Sequence, residues 1–302
     1  MEKKYDAYLY GMVLVTNSFL LSGDFPQPDT YAEISKSYSL PGGETGTCAT
    51  VLSSLGCSVK MDGNHLGKNT YGKLKEFYSN KDVDMSSMLY DEEYDGLQDY
   101  VIIDKNTRTP MGMFGHFYAD SNKRWSRPDY GDIVAAKVVG LDDFFGDCSR
   151  EVAEICRENG IKYVTIDTPY DGYVCKNAEI VVLSTEFFGY HYPEADREEL
   201  FKKYIENTDA LVIFTHGSKE IKYGRRSTGV FTAVPYKVET ISTLGAGDTF
   251  KAGCVYALLK GMTDKETVMF ASAAAAVACS VFPLPLHPPK LEQIVNLQQT
   301  NG

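Results

Sequence analysis

The strongest constraint on the fold is a regular alternation between residues 137 and 214. Lys137 to Leu141 is a short apolar run. Ser149 to Asn159 then sets Val152, Ile155 and Cys156 on one helical face and stops at Gly160. Tyr163 to Ile166 and Ile180 to Leu183 are again short and β-branched, Arg197 to Glu206 is amphipathic, and Ala210 to Phe214 is apolar. Short apolar strands separated by amphipathic helices pair in parallel and are covered on both faces. Tyr5 to Val15, apolar and β-rich, reads as the first strand. The expectation is an α/β chain built on a mostly parallel sheet with helices on both faces.

Two segments, about 14–42 and 96–122, do not follow the alternation. Ser22 to Leu40 is polar, with Pro26 and Pro28. Tyr100 to Ile103 and Thr109 to Phe117 read as an antiparallel hairpin around Asp104-Lys105-Asn106-Thr107. Together they are expected to form a small β-lid on one domain spanning 1–302. Between them, Cys48, Val51, Leu52 and Leu55 have helical spacing and stop at Gly56; Ser58 to Met61 is a strand, and a helix starts at about Tyr71. Near the end, Gly247 to Lys260 is a helix. Thr263-Asp264-Lys265-Glu266 is a capping box, and the small apolar run Ala271 to Cys279 suits tight packing. Prolines 283, 285, 288 and 289 enforce an extended loop before a last helix.

With 302 residues and 43% hydrophobic content, the chain can bury one large core and a small appendage. A net charge of −11 argues against nucleic acid and anionic membranes as main partners. No run of 18 apolar residues is present, and the charged start Met1-Glu2-Lys3-Lys4 does not read as a signal peptide. The seven cysteines have no Cys-x-x-Cys spacing; they read as reduced thiols of a cytoplasmic protein, and no structural zinc site is expected. His65, His116, His191, His216 and His287 are scattered and read as surface or packing residues. Asp91 to Asp95 reads as a solvated loop, and Lys123-Arg124-Trp125-Ser126-Arg127 is too small for a nucleic-acid site.

The chemistry concentrates in Thr243-Leu244-Gly245-Ala246-Gly247-Asp248-Thr249-Phe250-Lys251-Ala252-Gly253. Glycines just before a strong helix allow close approach by a ligand. The first amides of that helix lack internal partners and carry the positive end of its dipole. Gly245, Ala246 and Gly247 therefore read as an anion hole, with Asp248 at its mouth. A carboxylate facing a phosphoryl group repels it, so its natural task is to take a proton from an attacking hydroxyl. The plain structural reading is a turn with an Asp cap. No Gly-x4-Gly-Lys-[Ser/Thr] loop occurs.

The string Leu244 to Gly253 closely resembles the C-terminal signature of the ribokinase-like (PfkB) carbohydrate kinases. Pro41-Gly42-Gly43, the helix to Leu55-Gly56 and Gly67-Lys68-Asn69-Thr70-Tyr71-Gly72 resemble the N-terminal one more loosely. The resemblance covers essentially the whole chain. It implies a Rossmann-like core with a β-lid, ATP and Mg2+ as cofactors, and a sugar or nucleoside acceptor. It implies Asp248 as general base, and acceptor binding around Asn17, Gly42, Gly43, Thr47 and Asn69. It places nucleotide near Thr215, Gly217 and Ser218 of the turn Thr215-His216-Gly217-Ser218, and near Thr243.

Departures from the family pattern are informative. Asn17 stands nearest to a usual acceptor-binding Asp, and Thr47 replaces an Asn. Gly67 to Gly72 lacks the family's two carboxylates, and Ser242 replaces an Asp tied to monovalent-cation activation. The Asn-x-x-Glu that organises Mg2+ is replaced by Ser184-Thr185-Glu186-Phe187, which leaves Glu186 as the metal candidate beside a reading as a solvated helix start. Arg108 reads as a solvated turn residue, with contact to an anionic acceptor as the alternative. A homodimer through the lids would cover their alternating apolar positions. The leading reading is an ATP-dependent sugar kinase; the alternatives are a nucleoside kinase and a non-catalytic ligand sensor on the same fold.

Overall fold

The computed structural model describes residues 3–105 and 107–300. Asn106 of the expected hairpin turn and the start Met1-Glu2 lie outside the described residues. The run expected as one opening strand is two, β1 (Tyr5–Gly11) and β2 (Leu14–Leu21). The break is made by hydrogen bonds that leave the ladder. The Met12 amide donates to Asp142 Oδ2 (3.1 Å) and the Val13 amide to Asn64 Oδ1 (2.7 Å). The chain thus leaves one sheet and enters another. β3 (Ile34–Gly42) returns antiparallel to β2; its sequence looks like a polar loop because its first half is exposed.

Next come α1 (Glu44–Ser54), β4 (Val59–Gly63), β5 (Leu66–Gly67), α2 (Tyr71–Tyr78), β6 (Val83–Asp84) and β7 (Tyr90–Asp91). β8 (Gln98–Ile103) and β9 (Arg108–Gly112) form the expected hairpin. Phe114 to Phe117, expected as strand, instead belong to α3 (Phe114–Ala119), which tucks Phe117 against Trp125 and Phe145. The basic-aromatic cluster is structural: Trp125 stacks on Phe145 at 5.1 Å, Arg124 pairs with Asp91, and Arg127 pairs with Glu151. The remaining elements are α4 (Tyr130–Val134), β10 (Ala136–Asp142), α5 (Asp147–Glu158), β11 (Tyr163–Ile166), α6 (Tyr173–Asn177), β12 (Ile180–Leu183), α7 (Thr185–His191) and α8 (Arg197–Asn207). β13 (Leu211–Phe214), β14 (Ile221–Arg225), β15 (Gly229–Ala233), α9 (Ala246–Leu259), α10 (Asp264–Cys279) and α11 (Leu291–Thr300) complete the chain.

The main sheet has nine strands in the order β15-β14-β13-β12-β11-β10-β1-β4-β6. It is parallel from β6 to β13, and β14 and β15 are antiparallel additions. One face packs on α1, α9 and α10, the other on α4, α5 and α8. A Cβ on Gly253 would stand 2.7 Å from Ala271 Cα, so the small residues of α9 and α10 let the two helices nearly touch. The Thr263–Glu266 capping box that opens α10 forms as expected. The second, smaller sheet, β3-β2-β8-β9, is built from the two segments expected to form the lid. All seven cysteines are free, and burial pushes the Cys48, Cys156 and Cys175 thiols up to about 12. No described helix is long and apolar enough to cross a membrane.

Candidate active site

The site lies where strand ends and helix starts converge, the usual ligand crevice of a parallel sheet. Gly245 caps α9 in the left-handed region (φ 77°, ψ 10°), which glycine adopts without penalty. The Ala246 amide, expected in the anion hole, donates instead to the Thr243 carbonyl (3.2 Å). This correction leaves the amides of Gly245, Gly247 and Asp248 without a backbone partner among the described residues.

Asp248 stands in the first turn of α9. Burial raises its pKa to about 6; Asp142 adds to the rise, Lys251 and Arg108 oppose it, and Asp167 adds again. A carboxyl acting as base must be ionised, so with Asp248 in that role turnover would fall about tenfold per pH unit below an acid limb near pH 6, instead of near 4. A kcat/KM profile checks this, and a flat profile down to pH 5 would remove Asp248 from the role.

The Gly42-Gly43 turn leads into α1, and it is α1, through Thr47, that touches the α9 start. Gly43 has φ 77°, and the Met12 carbonyl beneath it accepts from the Thr45 amide (3.0 Å). Thr47 is buried, and its Cγ2 lies 3.3 Å from where a Gly245 side chain would begin. It packs the two turns together. Glu44, unnoticed in the sequence, opens α1. Burial, then Asp248, then Asp142 hold its carboxyl well above the usual carboxylate range.

The lid contributes from one face only. Across β2 and β8, Thr16 pairs with Asp99, while Asn17 pairs with Tyr100 and with Ser39 of β3. Because strand side chains alternate, the two sets face opposite ways. A Cβ on Gly42 would collide with Thr16 Oγ1, so the Thr16 and Asp99 face borders the glycine turn. Burial pushes Asp99 up to about 6, partly offset by the Thr16 hydrogen bond, and its Oδ1 is buried without a hydrogen-bond partner. Asn17 is spent inside the lid, accepting from Ser39 Oγ and donating to Gln98 Oε1 and the Asp99 carbonyl. Asn69 is exposed and reaches Asp95. Their polar groups are thus engaged with Ser39, Gln98 and the Asp99 carbonyl for Asn17, and with Asp95 for Asn69.

Arg108, on the same face of the lid as Asp99, is not a solvated turn residue. It donates from Nη1 to the Thr243 carbonyl (2.8 Å) and from Nη2 to Glu186 Oε1 (2.7 Å), bridging lid and core. Glu186 is therefore engaged by a cation. Among the described residues no group of three His, Cys, Asp or Glu could hold a metal. Thr215 ends β13, with its hydroxyl donating to the Leu183 carbonyl (3.2 Å). Gly217 turns at φ 58° and Ser218 is exposed beside it. Asp167, at the end of β11, takes φ 49° and accepts from the Ser184 amide and hydroxyl (2.7 and 2.9 Å). Asp tolerates this left-handed backbone better than most residues, as Asp29 also does at φ 62°; the sequence carries no spacing that singles Asp167 out.

The model for the family described as pfkB family carbohydrate kinase matches residues 19–282. The 5-dehydro-2-deoxygluconokinase of Clostridium beijerinckii is 24% identical over 283 residues, covering 84% of this chain and 83% of that protein. The nucleoside kinase of Methanothermobacter thermautotrophicus is 23% identical over 270 residues, covering 84% and 82%. The structure of Arabidopsis thaliana ribokinase complexed with ribose and ATP superposes with a TM-score of 0.77 at 17% identity, covering 98% and 99% of the two chains.

Proposed function

The chain belongs to the pfkB family of carbohydrate kinases, and from that premise we propose that it transfers the γ-phosphate of ATP to a hydroxyl of a sugar or sugar-like acceptor, with Asp248 as general base. The observation that carries this reading is that Asp248, at an α9 start with free amides, lies beside the start of α1: Thr47 packs on Gly245, and Glu44, next to the Gly42-Gly43 turn, feels the Asp248 charge. Anionic phosphate suits the amides of Gly245 and Gly247. The nucleotide would extend toward Thr243 and the Thr215 to Ser218 turn. The acceptor would lie under the lid between Gly42, Gly43, Glu44 and the Thr16-Asp99 pair, with its reacting hydroxyl at Asp248. A relative of similar identity is a nucleoside kinase, so a nucleoside acceptor belongs to the same test.

Mg2+ keeps several waters and binds through one or two carboxylates plus substrate phosphates. Glu186 and Asp167 are the carboxylates near enough to the strand ends to hold its water shell, and the ion would supply charge neutralisation on the transferring phosphoryl group. Glu186 would first have to share Arg108. The described tests are ADP release with ATP and Mg2+ over a panel of sugars, sugar phosphates and nucleosides. Turnover with one acceptor, lost in Asp248→Asn, supports the kinase. Ligand binding with no turnover across the panel would favour a sensor.

Arg108 ties the lid to the nucleotide side, and closing a lid excludes water from the reaction. Arg108→Ala should lower kcat roughly 10- to 100-fold and raise ATP hydrolysis without acceptor relative to transfer. An unchanged ratio of hydrolysis to transfer would show that the bridge has no part in closure. A homodimer through the lids also forms part of this reading. Ile34, Tyr100 and Met111 expose apolar surface there, and a monomeric mass by light scattering would exclude it.

A further inference from the structure

Lys251 and Asp142 are both fully buried, and Lys251 Nζ donates to Asp142 Oδ1. Such a pair is rare in a core, because each ion loses several kcal/mol of hydration that only good geometry returns. Here the geometry is elaborate. Asp142 Oδ2 also accepts from Thr45 Oγ1 (2.8 Å) and from the Met12 amide (3.1 Å). Room for Asp142 is made by a glycine: a Cβ on Gly11 would stand 1.9 Å from Asp142 Oδ2. Four elements meet at one ion pair: the end of β1 at Met12, the start of α1 at Thr45, the end of β10 at Asp142, and α9 at Lys251. Lys251 lies one turn along from Asp248 on the same helix.

We propose that Lys251, through Asp142, is a positioning residue that locks the start of α1, and with it the Gly43 turn, to the helix bearing Asp248. The proposal rests on Asp248 being the base. The pair itself is spent: Asp142 has its oxygens occupied and Lys251 has its proton donors turned into the core, so neither is offered to the acceptor. The groups that face Asp248 are Asp142 from β10, Lys251 from its own helix, Arg108 from β9, Asp167 after β11, and Glu44 and the Cys48 thiol from α1. Of these, Asp142 raises and Lys251 lowers its proton affinity. Removing one partner at a time should therefore shift Asp248 in opposite directions, which a merely structural strut would not do.

The test needs no turnover. The difference in unfolding stability between an Asp248 protein and its Asp248→Asn counterpart, followed against pH, locates the Asp248 midpoint by linkage. It is measured in the wild-type, Lys251→Gln and Asp142→Asn backgrounds. Gln keeps a donor toward Asp142 while removing the charge. The expected result is a midpoint moved up by about one pH unit in Lys251→Gln and down by about one in Asp142→Asn, with the acid limb of kcat/KM following. Shifts of the same sign, or none in either background, would overturn the proposal. The double variant Lys251→Met/Asp142→Leu guards against loss of folding, since apolar replacement of both buried ions is commonly tolerated. It should regain the Tm lost by the single variants, keep its KM for ATP, and raise KM for the acceptor on the order of tenfold. An unchanged acceptor KM in that folded variant would remove the link to the glycine turn. If the midpoints move as expected and no acceptor is ever phosphorylated, the kinase reading fails while the charge coupling stands.

Discussion

Asp248→Asn is expected to lose roughly 10²- to 10⁴-fold in kcat and at the same time to gain stability at neutral pH. The first follows from the proposed role as base, the second from a site that disfavours the carboxyl's charge. Asn keeps the shape of the side chain but cannot take a proton. The stability gain comes from linkage. The folded pKa is raised to about 6, against about 3.9 in the unfolded chain. Below about pH 4 both states hold the proton and Asp248 neither helps nor harms. Between about 4 and 6 the folded state binds the extra proton, and stability contributed by this group falls as pH rises. Above 6 the folded chain carries an ion it would rather not have. The full shift sets a ceiling of about 3 kcal/mol, and partial exposure reduces the expectation to about 1–2 kcal/mol. In a chain of this size that is a rise in Tm of several degrees, found at pH 7–8 and absent near pH 4. Kinetics together with thermal melts at the two pH values check it. A variant that is inactive but also less stable at pH 8 would mean that Asp248 is a structural cap.

Gly43→Ala should be the most damaging single-carbon change on the acceptor side. At φ 77°, an L-residue pays a conformational penalty of about 1 kcal/mol. Here the new Cβ would also stand 2.5 Å from the Met12 carbonyl oxygen, a backbone atom that cannot swing aside. That oxygen accepts from the Thr45 amide, so moving it loosens the start of α1 and, through Thr45, Asp142. A loss of roughly 2–4 kcal/mol is expected, with a fall in Tm on the order of 10 °C. Acceptor kcat/KM should fall by about 10²-fold or more, since misplacing reactants by about 1 Å has that cost. Gly56→Ala is the internal control. Gly56 has nearly the same backbone, φ 80°, but open space where its Cβ would point. It should lose only about 1 kcal/mol and leave acceptor kinetics unchanged. Equal effects at the two glycines would show that backbone conformation alone, and not the contact with Met12, governs the turn.

Much of the architecture is readable from the chain because its signals are local. The alternation after residue 137 announces parallel strands, and the α9 helix with its glycines and Asp248 is visible as a string. The Pro41-Gly42-Gly43 turn and the α10 capping box are likewise short-range patterns. What escaped reading depends on partners distant in sequence. β3 looks like a loop because edge-like, exposed strands need not alternate. β14 and β15 hide after the last apolar strand, since nothing in their residues states that they extend the sheet antiparallel. Met111 and Met113 alternate as a strand would, but Phe114 and Phe117 stand three apart, a helical spacing, and Phe117 packs against Trp125 and Phe145.

The same division holds at the site. Asp248 and its glycines were determined by the sequence alone, because the constraint is a helix start and a backbone dihedral that only neighbours in the chain control. The two faces of the lid were decided by register: a strand's side chains alternate, so Asn17 bonds Ser39 and Gln98 while Thr16 and Asp99 share the face that borders Gly42. The roles of Arg108, Glu44 and Asp167 arise from charges brought together by strand ends that are remote in the chain. Lys251 and Asp142 are the clearest case. Each alone reads as an ordinary charged residue, and only the packing of α9 over β10 removes both from water and makes them one ion pair.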